Sequence, residues 1–332
     1  MASRVSVITL NWNGWEDTVE LLESLRRVTY RPLSVVVVEN ASTDSSVSKL
    51  ADWLVNSGER YRLEDGVGEE STDPIGEPRI GWGDQFEFSL LKSHVNLGFC
   101  GGNNLGMKFA FDRGAELALV LNNDTLVNPD FLAPMAELFE KETDIGLVGG
   151  LITHCSDPEK VWWAGGTFKS FLRTERRGAG QPVSSLQCDR SFESDWISGC
   201  MTMIPKHVFD EIGGFDQSYF IWSEEWDLSM RVRRAGYRLM VDPRARICHK
   251  VGHSLGVMQP LNYYYGIRNG LIFKSRFLPG YAFGPYLVYY LFNRAVRYLQ
   301  LLAIGRRDLV SAGLDALFDF FRGTTGKWPR QP

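Results

Sequence analysis

The chain has 332 residues, of which 44% are hydrophobic and 23% are charged, and its formal net charge is −4 at pH 7. This composition is that of a globular protein long enough for a substantial core, and it excludes a disordered chain or an integral membrane protein. The negative net charge argues against a protein that coats nucleic acid, so no nucleic-acid partner is expected.

The cysteines and the N-terminal segment indicate the compartment. Five cysteines are scattered along the chain without a C-x-x-C pair: Cys100, Cys155, Cys188, Cys200 and Cys248. Their odd number and their spacing predict free thiols in a reducing compartment, not a disulfide framework or a zinc site. The N-terminus lacks the basic region and the long apolar run of a signal peptide. We therefore expect a cytoplasmic protein.

The first 42 residues predict a strand, a helix and a second strand. Residues 5–10 are a short β-branched run that stops at the turn-forming residues 11–14. Asp17 begins a segment with apolar residues at helical spacing. Residues 33–38 are a nearly continuous β-branched run, typical of a strand buried on both faces of a parallel sheet. Together they predict the βαβ opening of an α/β fold.

Residues 56–85 interrupt this pattern with glycine, proline, serine and acidic side chains, and we interpret them as a surface insertion. After it the pattern predicts a helix near residues 103–113, a buried strand at 117–121 and a helix near 129–141. A further apolar run follows at 145–152.

The C-terminal part, from residue 263 onward, is aromatic and basic and is predicted to be helical. Residues 274–308 carry six basic side chains and one acidic one. The 17 uncharged residues 277–293 are interrupted by proline and glycine, so we do not expect a membrane span. A helix lying in the interface and facing anionic lipid fits this composition. The alternative is packing on the core or on another subunit, so an oligomer stays open.

Four polar loops follow predicted strands, at residues 11–14, 39–42, 96–104 and 122–125. Open α/β sheets form their ligand sites at this edge. The glycine-rich loop 96–104 matches neither the G-x-G-x-x-G fingerprint nor a Walker A loop, which disfavours a dinucleotide dehydrogenase and a P-loop enzyme.

Seven short motifs occur in order along the chain: LNWN (10–13), VENAS (38–42), NLGF (96–99), LNNDT (121–125), ISGC (197–200), GGFD (213–216) and SEEWDL (223–228). In this order they resemble the family 2 glycosyltransferases of the GT-A fold, particularly the branch with bacterial rhamnosyltransferases and galactofuranosyltransferases. The resemblance runs from about residue 4 to residue 256. It implies a mostly parallel central sheet flanked by helices, with a C-terminal helical extension.

The resemblance also implies a domain organisation. Residues 1–256 would form the glycosyltransferase domain, with residues 1–150 as its nucleotide-sugar half and 151–256 as its acceptor half. Residues 257–332 would form a C-terminal helical segment, the part of the chain whose composition fits membrane association.

A divalent cation, Mg²⁺ or Mn²⁺, is the expected cofactor, because it can neutralise the charge of a diphosphate leaving group. Asn122-Asn123-Asp124 resembles the D-x-D metal motif with only the last carboxylate kept, so Asp124 is the predicted ligand. Its alternative role is to cap the next helix. His249 resembles the metal-site histidine of an H-x-x-G-x-S segment, although a lone histidine is more often a packing residue. His253 in the same segment is a weaker candidate for phosphate contact.

The donor nucleotide is expected at the strand-end loops. Glu39 stands where the family usually has an aspartate that contacts the nucleoside, and its carboxylate can accept from a base N–H or a ribose hydroxyl. The candidate donor-binding residues are Asn11, Asn13, Glu39, Asn40, Ser42, Asn96, Gly98, Asn104, Asn123 and Asp124.

The catalytic base is expected in Glu224-Glu225-Trp226-Asp227, which resembles the family's E-D-x-D motif at the start of a helix. An inverting transfer needs a carboxylate that takes the proton of the acceptor hydroxyl. Glu225 matches the family's base, and Asp227 is the second candidate. The spacing of Asp227 to Arg231 also predicts a structural i,i+4 ion pair. All three acids could instead complement the helix N-terminus.

The resulting hypothesis is an inverting, metal-dependent glycosyltransferase at the cytoplasmic face of a membrane. It would use dTDP-rhamnose or a UDP-sugar first among donors and a glycan or polyprenyl-linked saccharide as acceptor. Two alternatives stay open: an inactive protein of the same fold that binds a nucleotide or partner, and a nucleotidyltransferase that makes sugar nucleotides. The nucleotidyltransferase is disfavoured because the loop after the first strand is neither glycine-rich nor basic.

Overall fold

The computed structural model describes residues 2–57, 60–65, 87–251 and 259–330. It confirms the α/β opening. The strands β1 (Val5–Asn11) and β2 (Leu33–Asn40) are parallel neighbours joined by the helix α1 (Trp15–Leu25). Every residue of β2 is buried, as expected of an interior strand that is covered on both faces.

Most of the remaining strands extend one large sheet. They are β3 (Arg60–Asp65), β4 (Glu87–Ser93), β5 (Leu117–Leu121), β6 (Thr125–Val127), β7 (Ile145–His154), β8 (Asp157–Trp163), β9 (Gly166–Lys169), β10 (Arg173–Arg176), β11 (Phe192–Glu193), β12 (Met201–Pro205) and β13 (Arg238–His249). The sheet order is β11-β13-β7-β12-β5-β1-β2-β4-β3, with β6 on β13 and β8 on β7. The strands from β5 to β3 are parallel, so their carboxyl ends meet at one edge of the sheet. The strands β9 and β10 form a separate antiparallel pair.

The helices that flank the sheet are α2 (Ser46–Asn56), α3 (Gly98–Asp112), α4 (Leu132–Lys141), α5 (Lys206–Ile212) and α6 (Glu224–Arg234). The helix α3 begins five residues earlier than predicted, since its glycines lowered its apparent helix propensity. One of them permits a close approach to β1: a Cβ on Gly102 would lie 2.3 Å from Leu10 Cδ1. The glycine-rich motif therefore seats α3 on the sheet.

The predicted surface insertion at residues 56–85 is wrong in part. The strand β3 lies within it and pairs in parallel with β4 at the edge of the sheet. Its sequence, RYRLED, is mostly charged, which suits a sheet edge and hides the period-2 apolar pattern of a strand. Residues 66–86 lie outside the described residues.

The prediction that all five cysteines are free thiols is wrong. Cys155 and Cys248 form a disulfide, with their Cα atoms 4.9 Å apart. Cys155 directly follows β7, and Cys248 lies in β13, which runs parallel to β7. This pairing joins residues 93 positions apart and has no local pattern in the sequence. Cys100, Cys188 and Cys200 are free.

Three helices follow the sheet, as predicted: α7 (Pro260–Phe277), α8 (Gly280–Ala303) and α9 (Arg307–Arg322). The helix α7 belongs to the packed body of the protein. Its Phe273 is fully buried, and the Phe273 ring centroid lies 5.9 Å from that of Trp226 in α6. Within the ranges that the structure describes, no helix is both long and apolar enough to cross a membrane.

Candidate active site

The carboxyl ends of β1 and β2 are joined through Ser42. Asn11 lies opposite Glu39 in the parallel ladder, and both side chains are buried. Glu39 Oε1 accepts hydrogen bonds from the Ser42 backbone N–H at 2.9 Å and from the Ser42 hydroxyl. The Ser42 Oγ in turn accepts from Asn11 Nδ2 at 3.2 Å and from the Asn13 backbone N–H at 3.0 Å. The structure thus brings together four of the predicted donor-site residues: Asn11, Asn13, Glu39 and Ser42.

Asn123 joins this group through Thr18, which the sequence analysis did not single out. Asn123 Nδ2 donates to Thr18 Oγ1 at 3.0 Å, and the Thr18 hydroxyl donates to Asn11 Oδ1 at 2.8 Å. Thr18 lies on α1, so the ends of β1 and β5 are tied to one helix. This fixes the loop that carries Asp124.

Asn40, Asn96 and Gly98 form a second network beside the first. Asn40 Nδ2 donates to Asn96 Oδ1 at 3.1 Å, and Asn40 Oδ1 accepts from the Leu97 N–H at 2.9 Å. The Gly98 N–H donates to Asn96 Oδ1 at 2.8 Å. These bonds shape the turn into α3, where Gly98 adopts a φ of +69°.

Asn104 is placed differently from the other predicted donor residues. Its Nδ2 donates to the Phe215 carbonyl at 2.7 Å, and its Oδ1 accepts from the Phe215 N–H at 2.8 Å. Both ends of the amide are engaged by the backbone of the GGFD motif. Asn104 therefore fastens α3 to that segment, and the structure does not bring it into the Ser42 group.

Asp124 and His249 meet although 125 residues separate them, with Asp124 Oδ2 3.0 Å from His249 Nε2. The pairing of β6 with β13 sets Thr125 opposite His249 and so brings the two side chains together. Both are buried, and the imidazole lies edge-on to Trp162 with ring centroids 4.7 Å apart. His249 Nδ1 is buried without a hydrogen-bond partner. His253 lies outside the described residues.

An oxygen and a nitrogen ligand side by side are a donor set that Mn²⁺ accepts readily. Among the described residues there is no cluster of three or more His, Cys, Asp or Glu side chains that could hold a metal ion. A cation at Asp124 and His249 would thus need further ligands, and the oxygens of a nucleotide diphosphate can supply them.

Glu224 and Glu225 occupy the first turn of α6. Glu224 is buried, and its Oε2 has no hydrogen-bond partner. Glu225 is partly exposed, and its Oε2 accepts from the Gly199 N–H at 3.0 Å. Burial raises the pKa of both carboxyl groups, and the neighbouring Glu225 charge raises the pKa of Glu224 further. One carboxylate of the pair is therefore able to take up a proton near neutral pH.

Asp227, in the same first turn of α6, has a different environment. Its Oδ2 accepts from Arg231 Nε at 2.5 Å, which confirms the predicted i,i+4 ion pair. Its Oδ1 accepts from the Tyr219 hydroxyl at 3.1 Å and from Arg276 at 3.3 Å. Asp227 is buried, and its carboxylate is fully engaged by protein donors.

Cys200 is near both the acid pair and the loop that carries Asp124. The Cys200 carbonyl accepts from the Asn122 N–H at 3.0 Å, so the ISGC motif contacts the LNNDT loop directly. Burial raises the pKa of the Cys200 thiol, and the charges of Asp124 and Glu225 raise it further. Both carboxylates are hence within electrostatic reach of one sulfur atom.

Sequence reasoning missed Arg268 and Asn269 of α7, both fully buried. Asn269 Nδ2 donates to the carbonyls of Tyr219, Ile221 and Trp222 at 2.8, 2.6 and 3.0 Å. This loop directly precedes the acid pair and is strained, with a φ of 72° at Trp222. A polar pair within the aromatic run YYYGIRNGLIF was the available signal.

Residues 97–260 match the model of the family described as glycosyltransferase like family 2. The chain carries a family 2 glycosyltransferase domain. Among curated relatives, the N-acetylglucosaminyl-diphospho-decaprenol L-rhamnosyltransferase of Mycobacterium tuberculosis is 24% identical over 277 residues, which cover 77% of this chain and 79% of the relative. The dTDP-rhamnosyl transferase RfbF of Shigella flexneri is 19% identical and covers 55% of this chain, which spans 62% of RfbF.

A solved structure with the same fold is the mannosyltransferase PcManGT of Pyrobaculum calidifontis, in complex with GDP-Man and Mn²⁺. It aligns with a TM-score of 0.53 at 14% sequence identity and covers 96% of this chain and 88% of its own. The glycosyltransferase has the GT-A fold that the seven motifs predicted.

Proposed function

We propose that this glycosyltransferase is inverting and metal-dependent, and that it moves a sugar from a nucleotide diphosphate to a glycan or polyprenyl-linked acceptor. The observation that carries the proposal is the contrast within α6: Glu225 keeps a partly exposed carboxylate, whereas protein donors fully engage Asp227. A carboxylate that has no charged partner and accepts from one backbone N–H only suits a general base for transfer to a hydroxyl.

Glu225 would accept the proton of the acceptor hydroxyl while that oxygen bonds to the anomeric carbon. The bond from the anomeric carbon to the diphosphate oxygen breaks on the opposite side, and the electron pair leaves with the nucleoside diphosphate. This geometry inverts the anomeric configuration. The raised pKa of Glu225 helps, because a base is most effective when its pKa lies near the working pH.

Asp124 and His249 would hold the divalent cation. Bound there, the cation would neutralise the charge that develops on the diphosphate leaving group. Both side chains are buried, and the pairing of β6 with β13 brings them together, which supports this assignment. Because one of them is an imidazole nitrogen, we expect Mn²⁺ to be preferred over Mg²⁺.

The donor nucleotide would lie over the ends of β1 and β2. Glu39 and Asn11 face the same serine there, and Asn13 and Asn123 border the group. Asn40, Asn96 and Gly98 would act by shaping the loop into α3. In this proposal residues 1–150 bind the donor and residues 151–256 contribute the acceptor side. The name of RfbF favours dTDP-rhamnose as donor. The name of the mycobacterial relative favours transfer of a rhamnosyl group to a lipid-linked acceptor.

Ligand-dependent thermal stability tests the donor and the metal together. We expect dTDP-rhamnose or a UDP-sugar with Mn²⁺ to raise the melting temperature, because a ligand that binds only the folded state stabilises it. EDTA and Asp124→Asn should each abolish this shift. Asp130→Asn, an exposed position in the same loop region, is the matched control.

Full transfer activity in EDTA would contradict the metal-dependent mechanism. Formation of a sugar nucleotide from a sugar phosphate and a nucleoside triphosphate would instead establish a nucleotidyltransferase.

A further inference from the structure

The antiparallel pair of β9 and β10 is a hairpin with one face turned toward α7. Phe168 marks this face, because its ring centroid lies 5.8 Å from that of Phe273 in α7. In the register of the pair, Thr174 lies opposite Phe168, and Arg176 lies opposite Gly166. Residues directly opposite each other, and residues two apart on one strand, share a face of a sheet. Arg176 therefore lies on the same face of the hairpin as Phe168.

The guanidinium of Arg176 lies over the indole of Trp162, with Cζ 5.2 Å from the ring centroid. A cation within about 6 Å of an aromatic centroid is attracted to the ring, which holds it in place. The same indole is edge-on to His249. Within the ranges that the structure describes, the guanidinium forms no ion pair and donates no hydrogen bond. Its N–H groups are thus left for a ligand.

Arg176 also lies within electrostatic reach of Glu225. Burial raises the pKa of Glu225, whereas the Gly199 N–H and the charge of Arg176 lower it. The two side chains are near each other without forming an ion pair. The hairpin thus brings a cation close to the proposed base and leaves the carboxylate of that base unpaired.

A second cation lies near Arg176, beside the end of β7. His154 ends β7 and lies opposite His249 in the parallel ladder with β13. Burial lowers the pKa of His154, and the charges of Lys160 and Arg176 lower it further. Asp157 acts in the opposite direction. Around His154, two permanent cations thus act against one carboxylate, and this balance favours an anionic ligand.

We propose that Arg176 binds a phosphate group of the acceptor, with Trp162 holding the guanidinium and Lys160 adding positive charge. A planar guanidinium can donate two parallel N–H bonds to a phosphate, and such charge-assisted bonds are among the stronger ones in proteins. The inference rests on the proposed function, in which Glu225 receives the proton of the acceptor hydroxyl. It selects, as acceptor, a saccharide joined to its lipid through phosphate over a neutral glycan.

The donor is the other source of phosphate. The residues proposed to bind it lie at the ends of β1 and β2, and the proposed cation neutralises its diphosphate. Arg176 projects from a hairpin on the other half of the chain, within reach of Glu225. This placement favours the acceptor.

Titration calorimetry of the full chain with inorganic pyrophosphate, in EDTA and at low salt, tests the site. Wild type should bind pyrophosphate. Arg176→Gln should bind it at least about tenfold more weakly, because charge-assisted hydrogen bonds are lost. Lys160→Gln should bind it more weakly at low salt and normally at high salt. Arg173→Gln, an exposed arginine on the other face of β10, is the matched control and should bind it normally.

Two further measurements separate the acceptor phosphate from the donor diphosphate. With Mn²⁺, dTDP or UDP should raise the melting temperature of wild type and of Arg176→Gln equally. In transfer assays, Arg176→Gln should raise the acceptor KM about tenfold for a sugar linked to decyl diphosphate. The KM for the matching decyl glycoside without phosphate should not change, since that acceptor has no group for Arg176 to bind.

Absence of pyrophosphate binding to wild type, or an equal loss in Arg173→Gln, would overturn the phosphate site. An equal rise in KM for both acceptors would show that Arg176 does not contact phosphate. Loss of the nucleotide-dependent shift in Arg176→Gln would assign the residue to the donor diphosphate. If wild type shows no such shift, the proposed function fails. The pyrophosphate titration decides the Arg176 site separately, because it contains neither metal nor nucleotide.

Discussion

Glu225 and Asp227 lie two residues apart at the start of α6 and have opposite surroundings. Asp227 is buried among Arg231, Arg276 and Tyr219, and each of its oxygens has a donor. Glu225 accepts from one backbone N–H and stands beside Glu224, whose buried Oε2 has no hydrogen-bond partner. Burial raises the pKa of the Glu224 and Glu225 carboxyl groups. One helical turn therefore holds a structural acid and a group suited to proton transfer.

The largest effect is expected for Glu225→Gln, which keeps the size of the side chain and cannot accept a proton. Transfer should fall by about 10²–10⁴-fold, the usual contribution of a general base. Donor binding, measured by thermal shift, should be retained. In wild type the rate should rise with pH as Glu225 loses its proton, with a midpoint near its pKa of about 7.

Near-normal turnover in Glu225→Gln, together with a collapse in Asp227→Asn at unchanged stability, would move the base to Asp227. If the rate does not change between pH 5 and about 8, Glu225 with its raised pKa is not the base.

The next effect concerns stability. Asp227→Asn removes the negative charge between two arginines, and breaking a buried ion pair costs about 3–5 kcal/mol. We expect a loss of this order in the free energy of unfolding, measured with urea. Asp210→Asn removes the same charge from the exposed i,i+4 pair with Lys206 and should cost less than about 1 kcal/mol. Equal losses in the two variants would show that Asp227 is not the buried anchor described above.

The smallest effect is expected for Glu224→Gln and depends on pH. The pKa of Glu224 is about 8 in the folded protein, above its ordinary 4.5. The protonated carboxyl thus contributes stability that is full below pH 4.5 and is lost as pH rises through about 8. Glutamine cannot ionise, so the stability of the Glu224→Gln variant does not fall in this pH range. Above pH 8 the variant should therefore be more stable than wild type by on the order of 1–3 kcal/mol.

Thermal unfolding of the two proteins across this pH range gives the comparison. Glu16→Gln, at an exposed position in the first turn of α1, is the control and should show no such pH-dependent gain. A stability difference that does not change with pH would contradict the buried-acid assignment of Glu224.

Local pattern was sufficient for the βαβ opening, the strand-end loops and the ion pair of Asp227 with Arg231. Each of these depends on residues close in sequence, where the periods of helices and strands are visible. The pairing of Asp124 with His249 was anticipated only through family resemblance, because nothing local links residues so far apart. Their role as metal ligands stays a prediction, as does the role of Glu225 as the base.

The features that the sequence did not reveal are long-range or lack a periodic pattern. The disulfide between Cys155 and Cys248 needs the register of β7 against β13, which single-sequence patterns do not give. The strand β3 is mostly charged and so resembled a loop. The helix α3 was shortened in the prediction because glycines such as Gly102 lower helix propensity, whereas here they allow close packing on β1.

The hydrogen bonds from Asn269 limit where this enzyme can be truncated or joined to a relative. The family match ends at residue 260, yet Asn269 lies beyond it and supplies three hydrogen bonds to the loop before the acid pair. A chain truncated at the family boundary would leave those carbonyls without their donor and the strained loop free to relax. A chimaera that borrows the C-terminal helices of a relative would keep the loop in place only if an equivalent amide came with them.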